Sequence, residues 1–286
     1  MSVYKIIVSQ IKSLARIMIG FCLCLFCYSL AVADEAANAH PFLSEKFNVQ
    51  LGVYSPRRDI VIRVDGSLGG ENGEIDFGDE LGVAASDDLF AAEFTWRYGE
   101  KWSFRAQHFD ASGSKSAVLQ NDIEWGDDVI QAGSSVTAGT GLTMSRLFFG
   151  RSFDDSPKYD YGIGFGIHWL ETSAFLERDI IVSFGESSAV SASGPLPNIG
   201  GWIYYSPSSK WLVGGRLDWL EASLGDYAGG IFNLALGANY QLTDHVGVGV
   251  KYQAFTLRVD IKKSDSWRGR LQTEYEGAYL YLSGNW

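Results

Sequence analysis

The final stretch, Tyr275 to Trp286, constrains this chain more than any other. It alternates strictly and stops on an aromatic residue. Successive strand side chains point to opposite faces. Ala278, Leu280, Leu282 and Trp286 therefore share one face, and Tyr279, Tyr281, Ser283 and Asn285 share the other. One face suits lipid and the other a wet or polar interior. Chain ends usually fray, so a strand ending on a large aromatic needs a partner that holds it. A closed barrel supplies that partner, because its last strand pairs with its first.

The same period of two fills the chain from Phe47 onward. Phe47, Val49, Leu51 and Val53 alternate with polar or small residues. Beyond Pro56 the apolar set resumes at Ile60, Ile62 and Val64. Pro cannot donate to a ladder, so this reads as one long strand with a bulge at Pro56, with two short strands as the alternative. Further alternating runs start at Phe90, Trp102, Leu147, Tyr159, Trp211, Phe232 and Val246. A short aromatic strand of undefined facing lies at 199–205, and the phase slips near Phe255. Short turns near residues 99, 155, 207 and 243 alternate with long polar connections near 66–87, 112–137, 174–195, 222–229 and 262–272. Short turns on one side and long loops on the other mark a membrane barrel, and aromatics gather at strand ends as interfacial girdles do. With both ends on one side the strand count is even. The reading is an all-β, antiparallel, up-and-down transmembrane barrel of about ten strands, with eight or twelve as alternatives. A secreted β-sandwich would also alternate, but its outward face should be polar, and its core would not accept so many charges.

The start of the chain is an address. Lys5, Lys12 and Arg16 precede an apolar run from Ile17 to Leu30, which ends in Ala31, Val32, Ala33 and Asp34. A basic segment, an apolar segment and a small-x-small site mark a secretory signal peptide, expected over 1–33. Residues 34–45 form a short, poorly ordered periplasmic lead, and 46–286 form the barrel. Cys22, Cys24 and Cys27 all lie in the leader, so the exported chain carries no thiol to mispair in an oxidising compartment. Cleavage removes three basic residues and no acidic one, taking the formal charge from −11 to −14. That argues against nucleic acid, whose phosphates need a basic surface.

The closing strand, with Tyr279, Leu280, Leu282 and Trp286 as barrel closure and assembly signal, resembles that of Gram-negative outer-membrane β-barrels. The likeness is one of architecture and is greatest to small barrels without an assigned activity. It implies an outer-membrane location and contact with the bilayer and its lipopolysaccharide. It also implies recognition by periplasmic chaperones and the barrel-assembly machinery during export.

Residues expected to face the lumen carry both signs: Arg63, Glu93, Arg97, Arg105, Arg146, Asp160, Arg216, Asp218 and Lys251. Buried charges persist when paired, so these form either a plug of ion pairs or a narrow gated pore. The inward glycines at 162, 164, 166, 247 and 249 leave room for long side chains, arginines above all, to lie across. Two outer loops echo one another: Asp76, Phe77, Gly78, Asp79, Glu80 and Glu124, Trp125, Gly126, Asp127, Asp128. Their carboxylates form an acidic rim or, if the loops fold together over Phe77 and Trp125, a place for a bound Ca²⁺. No other cofactor and no firm metal site is expected.

Some barrels of this kind are enzymes: proteases with paired Asp and an Asp–His pair, a phospholipase with Ser, His and Asn, and lipid A-modifying barrels with His beside Ser or an acid. Here His40 and His245 fall on the periplasmic side, and His108 and His168 near the outer ends. His168 with Glu171 and Thr172 is the one base–orienter candidate. No catalysis is assigned. A scaffold or narrow channel is the leading function, against a lipid-modifying or proteolytic barrel or a receptor and adhesion surface built from the loops.

Overall fold

Long runs with a period of two leave one row of backbone donors and acceptors on each side of every strand, and within a membrane all of them need partners. The computed structural model, which describes residues 39–286 apart from 67–70, 79, 84–87, 154–155, 179–186, 225 and 263–267, meets this need by closure. The expected signal peptide and residues 34–38 lie outside the described residues. After a short helix α1 (Pro41–Ser44) come β1 (Phe47–Val64), the bridge β2 (Ile75–Asp76), β3 (Leu89–Tyr98) and β4 (Trp102–Val118). The small hairpin β5 (Ile123–Trp125) and β6 (Asp128–Ile130) precedes β7 (Ser135–Ser152), β8 (Tyr159–Arg178) and β9 (Ser187–Ser208). β10 (Trp211–Leu224), β11 (Tyr227–Gln241), β12 (Val246–Ile261) and β13 (Gly269–Asn285) complete the chain. Ten antiparallel strands, β1, β3, β4 and β7 to β13, each pair with the next, and β13 pairs with β1.

The closing pair is continuous from Asn48↔Asn285 to Val64↔Gly269. It extends past the strand end, where Phe47 N–H donates to Trp286 O (2.8 Å) and Trp286 N–H to Phe47 O (3.1 Å). Trp286 and Phe47 stand 6.0 Å apart, ring to ring. Leu280 and Leu282 are exposed on the lipid face, while Tyr279 is fully buried inside.

The strands are longer than a membrane requires. An apolar outer band needs about ten residues per tilted strand, whereas β8 has 20 and β9 has 22. The lower part of the wall carries exposed Leu51, Val53, Phe90, Ile163, Phe165, Ile203, Val248 and Leu282. Above it the pattern inverts. Outward positions become polar, as in Ser112, Ser114 and Ser116 of β4, and the inside becomes an apolar core of Ile60, Ile62, Val64, Phe77, Trp125, Val136, Leu176, Ile261 and Leu271.

This inversion corrects several sequence expectations. β1 has no bulge at Pro56: the register with β13 runs on through Pro56↔Gly277. Even-numbered β1 residues direct their backbone bonds toward β3, as Lys46 O does in accepting from Arg97 N. Pairing with β3 ends at Tyr54↔Leu89, so the missing N–H of Pro56 deprives no partner. Ile60, Ile62 and Val64 therefore point inward and Arg63 outward, the reverse of the expected facing. β12 likewise keeps one phase through Phe255; what changes there is the chemistry of the inside. Strand runs into both ends of the expected connections at 112–137 and 174–195, and 222–229 is a tight hairpin closed by Leu224↔Tyr227, whereas among the described residues 66–87 has only Ile75–Asp76 as strand. At 199–205, Ile199 and Ile203 face out and Trp202 faces in.

Pairing of β9 with β10 stops at Ile199↔Trp219, so the upper half of β9 has a free edge. Odd-numbered β9 residues direct their bonds to that edge, since Ser206 N–H donates to Lys158 O on the β8 side. Pro195 and Pro197 stand there, and a residue with no N–H blunts an edge against further pairing.

Candidate functional site

The lumen at membrane level is where the strands gather their charges. β7 supplies Arg146, β10 Arg216 and Asp218, β3 Glu93 and Arg97, β4 Arg105, β8 Asp160 and β12 Lys251. Three carboxylates organise them. Asp218, 1% exposed, accepts from Arg146 Nη2 (2.7 Å), from Arg216 Nη1 (3.3 Å) and from Asn233 Nδ2 (3.4 Å), with Arg146 Nε 2.6 Å away as an ion pair. Asp160 accepts from Arg97 Nη2 (2.9 Å), Ser152 Oγ (2.7 Å) and Trp202 Nε1 (2.8 Å), with Arg105 Nη2 at 3.8 Å. Glu93 accepts from Lys251 Nζ (2.7 Å) and lies 3.5 Å from Arg216 Nη2. Gln107 joins two parts of the network, accepting from Arg216 Nη2 (2.5 Å) and donating to Gln253 Oε1 (3.2 Å).

Five cations (Arg97, Arg105, Arg146, Arg216, Lys251) thus face three acids, a surplus of two positive charges. Aromatic rings answer part of the surplus, because a ring face attracts a cation. Arg105 lies 4.0 Å over Trp202, Arg146 4.3 Å over Phe148, and Lys251 4.7 Å over Tyr281. Two inward glycines serve these rings rather than arginines from the far wall: a Cβ at Gly249 would strike Tyr281, and one at Gly162 would strike Trp202, whereas one at Gly247 would meet Asn239 and Ser283. Of the nine charges expected in the lumen, Arg63 stands apart. It faces outward above the membrane and pairs with Asp65 (3.1 Å) and Glu71 (3.1 Å).

Sequence reasoning missed the neutral members Gln107, Asn198, Asn233, Gln253 and Trp202, whose pairings cross distant strands. It also missed the docked N-terminal segment. Residues 39–45, expected to be poorly ordered, enter the barrel mouth on the side of the short turns. His40 is fully buried and caps α1 by accepting from Phe42 N–H at Nδ1 (3.1 Å), and its own N–H donates to Ser206 Oγ (3.2 Å). Phe42 packs edge-on against Tyr204 at 5.0 Å, and its carbonyl accepts from Arg97 Nε (3.1 Å). Between Phe42, Tyr204, Arg216, Lys251 and Tyr281 remains a cavity of about 30 Å³, room for roughly one or two waters. Burial pushes the His40 pKa down to about 4, with Asn239 pulling the other way.

His168 is fully buried in the lumen, its Nδ1 3.1 Å from Asn198 Oδ1 and its Nε2 3.4 Å from Asn233 Nδ2. Glu171 faces out and accepts from Trp169 Nε1 (3.2 Å), so the expected base–orienter pair does not form. The two echoing loops do fold together. Phe77 and Trp125 are buried with ring centres 6.0 Å apart, Gly126 N–H donates to Val64 O (3.1 Å), and Asn72 Nδ2 donates to Gly126 O (2.7 Å). Their acids serve the backbone: Asp76 Oδ1 accepts from Gly78 N–H (2.8 Å) and Glu124 from Gly73 N–H (3.1 Å). Glu80 accepts from Asp76 N–H at 3.5 Å, and Asp127 and Asp128 line an open groove beside Gly66 and Asn72. Asp79 lies outside the described residues, and among the described residues no three His, Cys, Asp or Glu side chains are gathered to hold a metal.

No protein-family model and no curated protein matches this chain. Solved structures do. The outer membrane protease OmpT from Escherichia coli matches with a TM-score of 0.57 at 12% identity, over 84% of this chain and 97% of that one. The translocator domain of the autotransporter NalP from Neisseria meningitidis matches at 0.44 and 10% identity, over 98% of each chain. The Pseudomonas putida toluene transporter TodX matches at 0.33 and 10% identity, over 90% and 94%. The closed ten-stranded antiparallel wall is thus a β-barrel fold that this chain shares with OmpT.

Proposed function

We propose that the protein is a closed outer-membrane scaffold that carries its outer-wall surfaces and loop cap above the bilayer and conducts nothing through its lumen. The carrying observation is the Asp218–Arg146–Arg216–Gln107 network, whose buried side chains are bonded to one another across the barrel. Residues 39–45 below it and the Phe77–Trp125 core above it add two further seals. A buried ionic network resists opening because separating one partner strands a charge in a confined space. His168 is fully buried between Asn198 and Asn233. Export through a cleaved 1–33 leader, handling by periplasmic chaperones and the barrel-assembly machinery, and contact with lipopolysaccharide belong to the same reading. Liposome swelling with small sugars tests it. Vesicles holding refolded protein should stay tight, and swelling comparable to that with an open porin would favour the gated-channel reading instead.

A further inference from the structure

One pair on the outside of the wall has the makings of a reaction centre. His108 on β4 and Ser145 on β7 are direct cross-strand neighbours, and His108 Nδ1 lies 2.9 Å from Ser145 Oγ. His108 is exposed, and both side chains belong to the outward-facing row of their strands.

Their height matters. Below Ser145 the outward row of β7 is apolar, with Leu147 and Phe149 exposed; below His108 that of β4 is Ala106, Phe104 and the exposed Trp102. Above them stand Asp110 and Thr143, joined Oδ2 to Oγ1 at 2.5 Å, and Glu171. Trp169, cross-strand from Ser145 and half exposed, marks the boundary between belt and polar wall, as interfacial tryptophans do. The pair therefore sits where acyl chains give way to headgroups, the level of lipid ester carbonyls.

We propose that Ser145 and His108 act as nucleophile and general base toward the carboxylic ester of a membrane lipid's acyl chain. A hydroxyl is a weak nucleophile until a base within hydrogen-bond reach takes its proton. Ser145 Oγ attacks the ester carbonyl carbon while His108 Nδ1 accepts the hydroxyl proton. The tetrahedral centre collapses, the lipid alkoxide leaves, and His108 returns the proton to it, giving a lyso-lipid and an acyl-Ser145 ester. Water, deprotonated by His108, then releases the fatty acid and restores Ser145. Asp110, the next residue along the outward row of β4, stabilises the transient imidazolium by charge. The apolar row below holds the acyl chain in the belt, so the ester arrives at the pair without leaving the bilayer. The ladder N–H groups around Ser145 are engaged by β4 and β8, so turnover is slow, by about 10²–10³ relative to a site with a full oxyanion hole.

The test uses refolded full-length barrel in two vesicle types, one of glycerophospholipid and one also containing lipid A, with fatty-acid release and fluorophosphonate labelling as readouts. Ser145 should label in the wild type. Release should fall by about a hundredfold or more in Ser145→Ala and in His108→Gln, each checked by its heat-modifiable gel shift. Release from the first vesicles identifies phospholipid as the source, and release confined to the second identifies lipid A; either supports the dyad. Absence of both labelling and release from wild-type protein overturns the proposal, as does release that survives in Ser145→Ala. Neither outcome bears on whether the lumen conducts.

Discussion

Removing the Asp218 carboxylate should unseat the lumen network. Asp218 is 1% exposed and Arg146 2% exposed, so Asp218→Ala leaves a buried guanidinium that has lost both its short contacts with a carboxylate. Breaking a buried pair from one side typically costs about 3–5 kcal/mol. Arg216 loses less, because it keeps Gln107 and Glu93, and the Phe148 ring face still attracts Arg146. The lower end of the range, about 3 kcal/mol, is therefore expected. Replacing both partners by apolar groups removes the stranded charge as well as the pair, and such exchanges are often near neutral. Asp218→Ala combined with Arg146→Met should thus recover most of the loss. Urea titration of the refolded barrel in lipid vesicles, followed by tryptophan fluorescence, reads the four corners of the cycle. An unchanged midpoint in Asp218→Ala, or simple additivity of the two substitutions, would refute the reasoning and leave Asp218 as a solvated group.

Arginine at Val248 should cost about 2–4 kcal/mol in the same titration, while arginine at Ser114, on the outer wall above the belt, should stay within about 0.5 kcal/mol; equal damage would mean that the belt is misplaced. Trp286→Ala removes the ring packed against Phe47 and should lower the amount of heat-modifiable barrel recovered from outer membranes. Phe77→Ala should loosen the loop cap by about 3–5 kcal/mol and expose it to external protease without releasing the membrane-embedded wall. The docked segment should be sensitive to acid. His40 holds its proton less readily when docked, at about 4 against 6.5, so docking is fully favoured above pH 6.5 and loses up to about 3 kcal/mol as pH falls toward 4. The mobility of a nitroxide on Ser44→Cys should rise over that window. It should stay flat with His40→Asn, which keeps a capping acceptor but does not titrate.

The membrane part of the fold was legible because lipid imposes a strict rule. In the belt one face must be apolar, so Leu280 and Leu282, Val246 to Val250 and Tyr159 to Trp169 declare their facing by alternation alone. Above the membrane water stands outside and the loops fill the inside, which reverses the rule. Ile60, Ile62 and Val64 therefore read as lipid-facing when they line a core, and the Ser112–Ser116 row reads as loop when it is the wet side of a strand. The charges of the lumen were visible for the same reason as the belt, and Arg63 was misassigned for the same reason as Ile62. Which charges meet was not legible, since Arg146 and Asp218 lie on β7 and β10 and their contact depends on barrel closure and register. Residues 39–45 gave no periodic signal: one aromatic, Phe42, and one histidine do their work by fitting the mouth.

The most direct measurement of the central claim is single-channel recording of refolded wild-type protein in a planar bilayer at neutral pH. A lumen bridged at membrane level by bonded side chains and capped at both ends predicts a silent trace at moderate voltage, with steps appearing in Asp218→Ala and favouring anions, because the remaining network holds five cations against two acids. Steady unitary currents from the wild-type protein would contradict the account.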